Sequence, residues 1–192
     1  MQVFRPALST YATGRRASRA SSRGFTLIEA LVVVAMMAIL AGLAAPSMIE
    51  FVNARQAETI ARKIHADALF ARSEAIKRDA PVLLCAGTTG ACAAAPASTD
   101  WSAGWRVCYD RDGDGACDAG TSTDPNPLRV SDAVSTQVAF SGPTSRLQFN
   151  ADGTMTAGGG AAFSATSGGT KKFKWAVGLA VSGTSSVKKE AV

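Results

Sequence analysis

The chain has 192 residues and a formal net charge of +5, which leaves room for one modest domain plus appendages. Its excess basicity is not spread as a nucleic-acid-binding surface requires. Arg5, Arg15, Arg16, Arg19 and Arg23 all precede residue 25 with no acidic residue among them, so the remainder is formally neutral. After this basic leader, residues 1–24, comes an apolar run over residues 25–45 that carries a single charge, Glu29. A helix of that length crosses about 30 Å of hydrocarbon. The arginines place the N-terminus in the cytoplasm and the remainder across the membrane. A cleaved secretory signal is the rival, because Ala41-Gly42-Leu43-Ala44-Ala45 offers small residues at signal-peptidase spacing. The long leader and the charge near the start of the run favour a retained anchor. A carboxylate in mid-bilayer costs about 2.5–3.5 kcal/mol on insertion scales. Glu29 therefore calls for a compensating partner.

The helical pattern continues past Pro46. Ala57, Ile60, Ala61, Ile64, Ala68, Ala71 and Ala75 recur at three- and four-residue spacing, and Arg55–Glu58, Lys63–Asp67 and Glu74–Arg78 are spaced to pair along the surface. Pro81 forces an extended backbone, so the helix is expected to end near Arg78 and Asp79. The result is one helix over residues 25–78, apolar in its lower half and amphipathic in its upper half. Pro46 removes a donor where the halves meet, and a kink or weak point is expected there.

Beyond Pro81 short β-type runs are separated by Gly, Ser, Thr and Asp. Strands are expected over residues 82–86, 104–110, 128–131, 137–140, 146–150 and 173–182. Residues 157–169 are small and Gly-rich and read as loop. The fold class is α+β: a long N-terminal helix lends its Ala-rich stripe to an antiparallel β-domain over residues 79–192. The four cysteines lack the C-x-x-C spacing of a zinc site. An even count outside the cytoplasm reads as two disulfides, and among three pairings the short spacings favour Cys85–Cys92 and Cys108–Cys117. The second pair is expected to staple a hairpin turning at residues 110–115, Asp-Arg-Asp-Gly-Asp-Gly.

Catalytic signatures are missing from the sequence. His65 is the sole histidine and falls on the helix, which leaves a Ser-His-Asp site in the β-domain without its base; there is no P-loop and no H-E-x-x-H. Neither an enzyme nor a cofactor is expected. Asp110, Asp112 and Asp114 ahead of Gly115 match the start of a calcium loop, but Thr121 stands where the twelfth-position glutamate belongs, so a solvated turn is the expected reading. Trp101 and Trp105 read as core anchors.

The stretch Arg23-Gly24-Phe25-Thr26-Leu27-Ile28-Glu29, followed by the apolar helix and Pro46, resembles the class III signal of type IV pilins and pseudopilins. That resemblance implies cleavage between Gly24 and Phe25 by a prepilin peptidase and N-methylation of Phe25. It gives Glu29 a partner, the new amine of Phe25 in the same subunit or a neighbour, a pair that offsets much of either charge's cost in hydrocarbon. Further along, "LLCAGTTGAC", "DWSAGWRVCYDRDGDG" and "LQFNADGTMT" are similar to the FimT/GspH minor pilins. The implied partners are the peptidase, other pilin or pseudopilin subunits and the inner membrane, with the β-domain in the periplasm. Members that take up DNA carry a Gly-Arg-x-Arg segment near the C-terminus. Here Gly183 is followed by Thr184, and Lys188 and Lys189 supply charge without the bidentate fork of arginine. DNA is therefore the less favoured partner.

Overall fold

The computed structural model describes residues 24–89, 92, 99–157, 161–170 and 172–191. Of the expected leader only Gly24 lies among them. The first helix, α1, runs Leu27–Arg78 and is followed by β1 (Val82–Ala86), β2 (Trp105–Tyr109), β3 (Arg129–Ser131), β4 (Val138–Ser141) and β5 (Arg146–Phe149). Then come β6 (Met155–Ala157), β7 (Ala161–Ser167), β8 (Lys174–Leu179) and β9 (Ser185–Glu190). The helix assignment continues through Pro46. It stops where Asp79 adopts a left-handed φ of 50° ahead of Pro81.

By contact density the chain divides into two units, Met1–Leu43 and Ala44–Val192. In the first, the described helix residues are all exposed, among them Leu27, Ile28, Leu31, Val34, Met37, Ile39 and Leu40. The helix is long and apolar enough to cross a membrane, with a mean hydropathy of 2.5 in its most apolar window and none of that window buried.

In the second unit the helix meets two antiparallel sheets. One has the order β3-β2-β1-β5-β6, the other β4-β7-β8-β9. Ala57, Ala61, Ile64, Ala68, Ala71 and Ala75 are buried in the shared core. Because five of these six are alanine, the sheets can approach the helix backbone closely, and little side-chain entropy is lost on burial. The sheets meet through aromatic rings. Trp105 of β2 lies 5.4 Å from Phe140 of β4, which stacks at 5.7 Å on Phe163 of β7, which in turn takes Trp101 edge-on at 4.7 Å. Each such pair adds about 0.5–1.5 kcal/mol beyond burial.

Three expectations need correction. Residues 157–169 are not a loop in their described part: β7 occupies Ala161–Ser167, and Phe163, Ala165 and Ser167 alternate into the core. Residues 158–160 lie outside the described ones. Strands β6 and β9 were also not expected: β6 is only three residues long, and all but one of the residues of β9 are polar. The hairpin across residues 110–115 does not form. β2 pairs instead with β1 and with β3 at Arg129–Ser131, and residues 110–128 between them fold as a compact loop.

Candidate functional site

The first candidate site is the start of α1. Thr26 caps the helix, its hydroxyl accepting from the Glu29 backbone N–H at 3.2 Å, while its carbonyl accepts from Ala30 N–H. Thr-Leu-Ile-Glu is thus the spacing of a capping box, a signal present in the sequence beside the one the processing motif supplies. Glu29 also stands in the first turn, where the helix dipole favours a negative charge. Gly24, Phe25 and Glu29 are exposed, Phe25 at 83%. The segment carrying the expected cleavage site is thus open, ahead of the first helical turn.

A second cluster fastens the helix to the first sheet. The Asp67 carboxylate is buried and accepts from the Trp105 indole N–H at 2.8 Å, the Ser131 hydroxyl at 3.1 Å and Arg129 at 3.2 Å. The Arg129 guanidinium also lies 3.7 Å from the centre of the Phe70 ring. The sequence suggested Lys63 as the partner of Asp67; in the structure the Lys63 ammonium lies 5.4 Å from the centre of the Trp105 ring. His65 is likewise not isolated on the helix. Its Nδ1 lies 2.8 Å from the Ser185 hydroxyl of β9. No carboxylate orients this imidazole among the described residues, so the pair serves as a helix–sheet tie and lacks the third member of a triad.

The third cluster is the loop between β2 and β3. The Asp110 carboxylate is fully buried and accepts from the backbone N–H groups of Gly113 and Gly115 at 2.8 and 2.9 Å. Burial pushes its pKa up, against the pull of those two N–H groups. Asp112 and Asp114 accept from the N–H groups of Asp114 and Ala116. Of the three aspartates that the sequence singles out, Asp110 and Asp112 come together with Asp118, within 4.8 Å of one another, and Asp114 does not join them. The donors these carboxylates meet are the loop's own amides, which fits a turn scaffold. Disulfides Cys85–Cys92 and Cys108–Cys117 flank this region, and the buried Leu83 packs with them. At the loop's far end Asp124 binds Arg78 at 2.7 Å and Arg111 at 3.4 Å, and both arginines lie over the Tyr109 ring. The Arg78 guanidinium, and to a smaller degree Arg111, holds the Asp124 carboxyl below the usual range. Arg78 does the same to Glu74, with Lys77 adding to it.

Lys188 and Lys189 are neighbours on β9, so their side chains point to opposite faces of the sheet. Lys189 lies over the Phe173 ring at 4.8 Å. The two do not build a shared basic patch.

Two family models match the chain. One, the prokaryotic N-terminal methylation motif, covers residues 19–45; the other, type II transport protein GspH, covers residues 61–184. No curated protein matches. Among solved structures, crystals of the type IV minor pilin FimU of Pseudomonas aeruginosa resemble the chain at 18% and 19% identity. The TM-scores are 0.49 and 0.46, and the matches cover 73% and 70% of this chain and 92% of FimU. With 124 of the 192 residues inside the GspH match, spanning about the last third of α1 and the β-strands up to the β8–β9 turn, the chain belongs to the GspH family of pilin-like proteins.

Proposed function

We propose that the chain is made as a membrane-held precursor, cut after Gly24, methylated on Phe25 and assembled as a structural subunit into a type IV pilus or a type II secretion pseudopilus. The observation that carries this reading is the exposed helix start. The exposed Gly24 and Phe25 are followed within about one turn by a lone carboxylate, and then by an apolar helix that none of the described residues covers. Such a helix needs lipid before assembly and other subunits after it. Exchange between the two environments is the subunit's work. Glu29 pairs with a Phe25 amine and so favours docking beside another subunit over remaining in the bilayer. The β-domain lies on the periplasmic side, where its cysteines oxidise.

The experiment is Glu29→Ala in cells that assemble the filament. Cleavage and membrane insertion stay intact, and recovery of the variant in sheared or extracted filaments falls. Wild-type recovery of the variant in filaments would reduce Glu29 to a helix-capping residue.

A further inference from the structure

The sulfurs of the two disulfides meet at one place on the first sheet. Along β1 and β2, Val82, Leu84, Trp105 and Val107 face the main core, while Leu83, Cys85, Arg106 and Cys108 take the alternate positions and face away from it. Cys92 and Cys117 arrive from the loops that follow these strands, and the four cysteines pack with Leu83 as a small second core. All four Sγ atoms lie within 4.8 Å of one another. Cys85, Cys92 and Cys108 are buried and Cys117 is half-buried. The chain has no other cysteine. Sequence spacing hides the cluster, because strand pairing and not a local C-x-x-C turn brings the two pairs together.

Two guanidiniums flank it. Cys85 stands directly opposite Arg106 of β2 and Arg146 of β5, so the three share one face of the sheet. Arg106 is buried and donates to the Gly87 and Thr89 carbonyls at 2.8 and 3.0 Å. Arg146 donates to the Gly115 carbonyl. Each arginine thus ties down the loop that delivers Cys92 or Cys117. The neighbouring Asp110, Asp112, Asp114 and Asp118 accept from backbone N–H groups of their own loop.

Every disulfide is preceded by a thiol state, and in that state the same arrangement is a set of four convergent soft ligands. A tetrahedral zinc ion with bonds of about 2.3 Å sets its sulfurs about 3.8 Å apart. Reduction lets the sulfurs of each pair spread to that separation. Sulfurs from different pairs, already within 4.8 Å, need to close by no more than about 1 Å. Binding displaces one proton from each thiol and leaves the centre with two net negative charges, which Arg106 and Arg146 balance. We propose that the reduced chain binds one zinc ion on Cys85, Cys92, Cys108 and Cys117, so that metal and disulfides are alternative closures of the same four sulfurs. The inference stands apart from the assembly reading. Oxidation of the filled site by two equivalents of a disulfide oxidant forms both S–S bonds, leaves four thiols on the oxidant and frees the ion.

The test uses the full chain in detergent, reduced anaerobically with a phosphine, which takes one oxygen from water per disulfide and leaves two thiols. Zinc or cobalt is titrated in after the reductant is removed. The reduced chain takes up one ion, X-ray absorption at the zinc edge shows four sulfurs at about 2.3 Å, and cobalt gives the intense visible bands of a tetrahedral tetrathiolate. Cys117→Ser removes one sulfur from that shell. Arg146→Gln lowers zinc affinity about tenfold, as losing a partner of the ligands does. Failure of the reduced chain to bind, fewer than four sulfurs, one ion shared by two chains, or equal uptake by the oxidised chain overturns the proposal. So does an unchanged affinity in Arg146→Gln. Binding without the far-ultraviolet circular dichroism of the folded chain also overturns it, because an unfolded chain with four thiols captures zinc too. A reduced chain that loses that spectrum and regains it with one equivalent of zinc supports the centre.

Discussion

At the residue scale, the side chains that matter most for stability are polar ones buried between α1 and the sheets. Asp67 is the clearest case, because three donors from β2 and β3 converge on one carboxylate inside the core. Asp67→Ala leaves the Trp105 indole and the Ser131 hydroxyl without an acceptor and is expected to cost about 3 kcal/mol. Asp67→Asn keeps one acceptor oxygen and costs less; chemical denaturation of the detergent-solubilised chain measures both. Asp124 supplies a pH test. Arg78 holds its carboxyl below the ordinary value of 3.8, so its contribution to stability is full above that pH and is lost as pH falls through the lowered value. The melting-temperature gap between wild type and Asp124→Asn is therefore present at neutral pH and closes under acid. Asp110, shifted upward by burial, contributes with the opposite sign, being least costly when protonated. Comparing the variant with wild type isolates Asp124 from that opposing trend.

At the element scale, the alanine stripe of α1 sets the helix–sheet spacing. Ala61 is fully buried, and Ala61→Leu forces three extra heavy atoms into a closed seam. A loss of about 1–3 kcal/mol is expected, read by denaturant midpoint. The stripe was legible in the sequence because it repeats at helical spacing, and so were the strands rich in Val, Leu, Phe or Trp. Strand β7 was not. Its apolar pattern reduces to one Phe among Ala, Ser and Thr, and its strand character comes from pairing with β4 and β8 on either side. Strand β9 hides for a related reason, since as an edge strand it buries almost nothing. The Asp67 cluster and the His65–Ser185 tie join residues 38 to 120 positions apart, which no local pattern reveals. The cysteine spacing suggested a hairpin, whereas the buried Asp110 carboxylate organises a loop there.

At the scale of the whole molecule, the helix of the first unit has an apolar surface that none of the described residues covers, and the second unit has a closed core of its own. That division matches a subunit whose helix is exchanged between lipid and neighbours while its domain stays folded. In the sequence the motif that holds Gly24, Phe25 and Glu29 was the most legible feature, because its residues lie within six positions and are read without tertiary context. Intact mass of the protein extracted from the membranes of cells that hold a prepilin peptidase tests the account most directly. The account predicts a mass lower by residues 1–24 and higher by one methyl group. A mature chain that begins after Ala45 would contradict it, because the helix that is to anchor and assemble the subunit would have been discarded as a signal peptide.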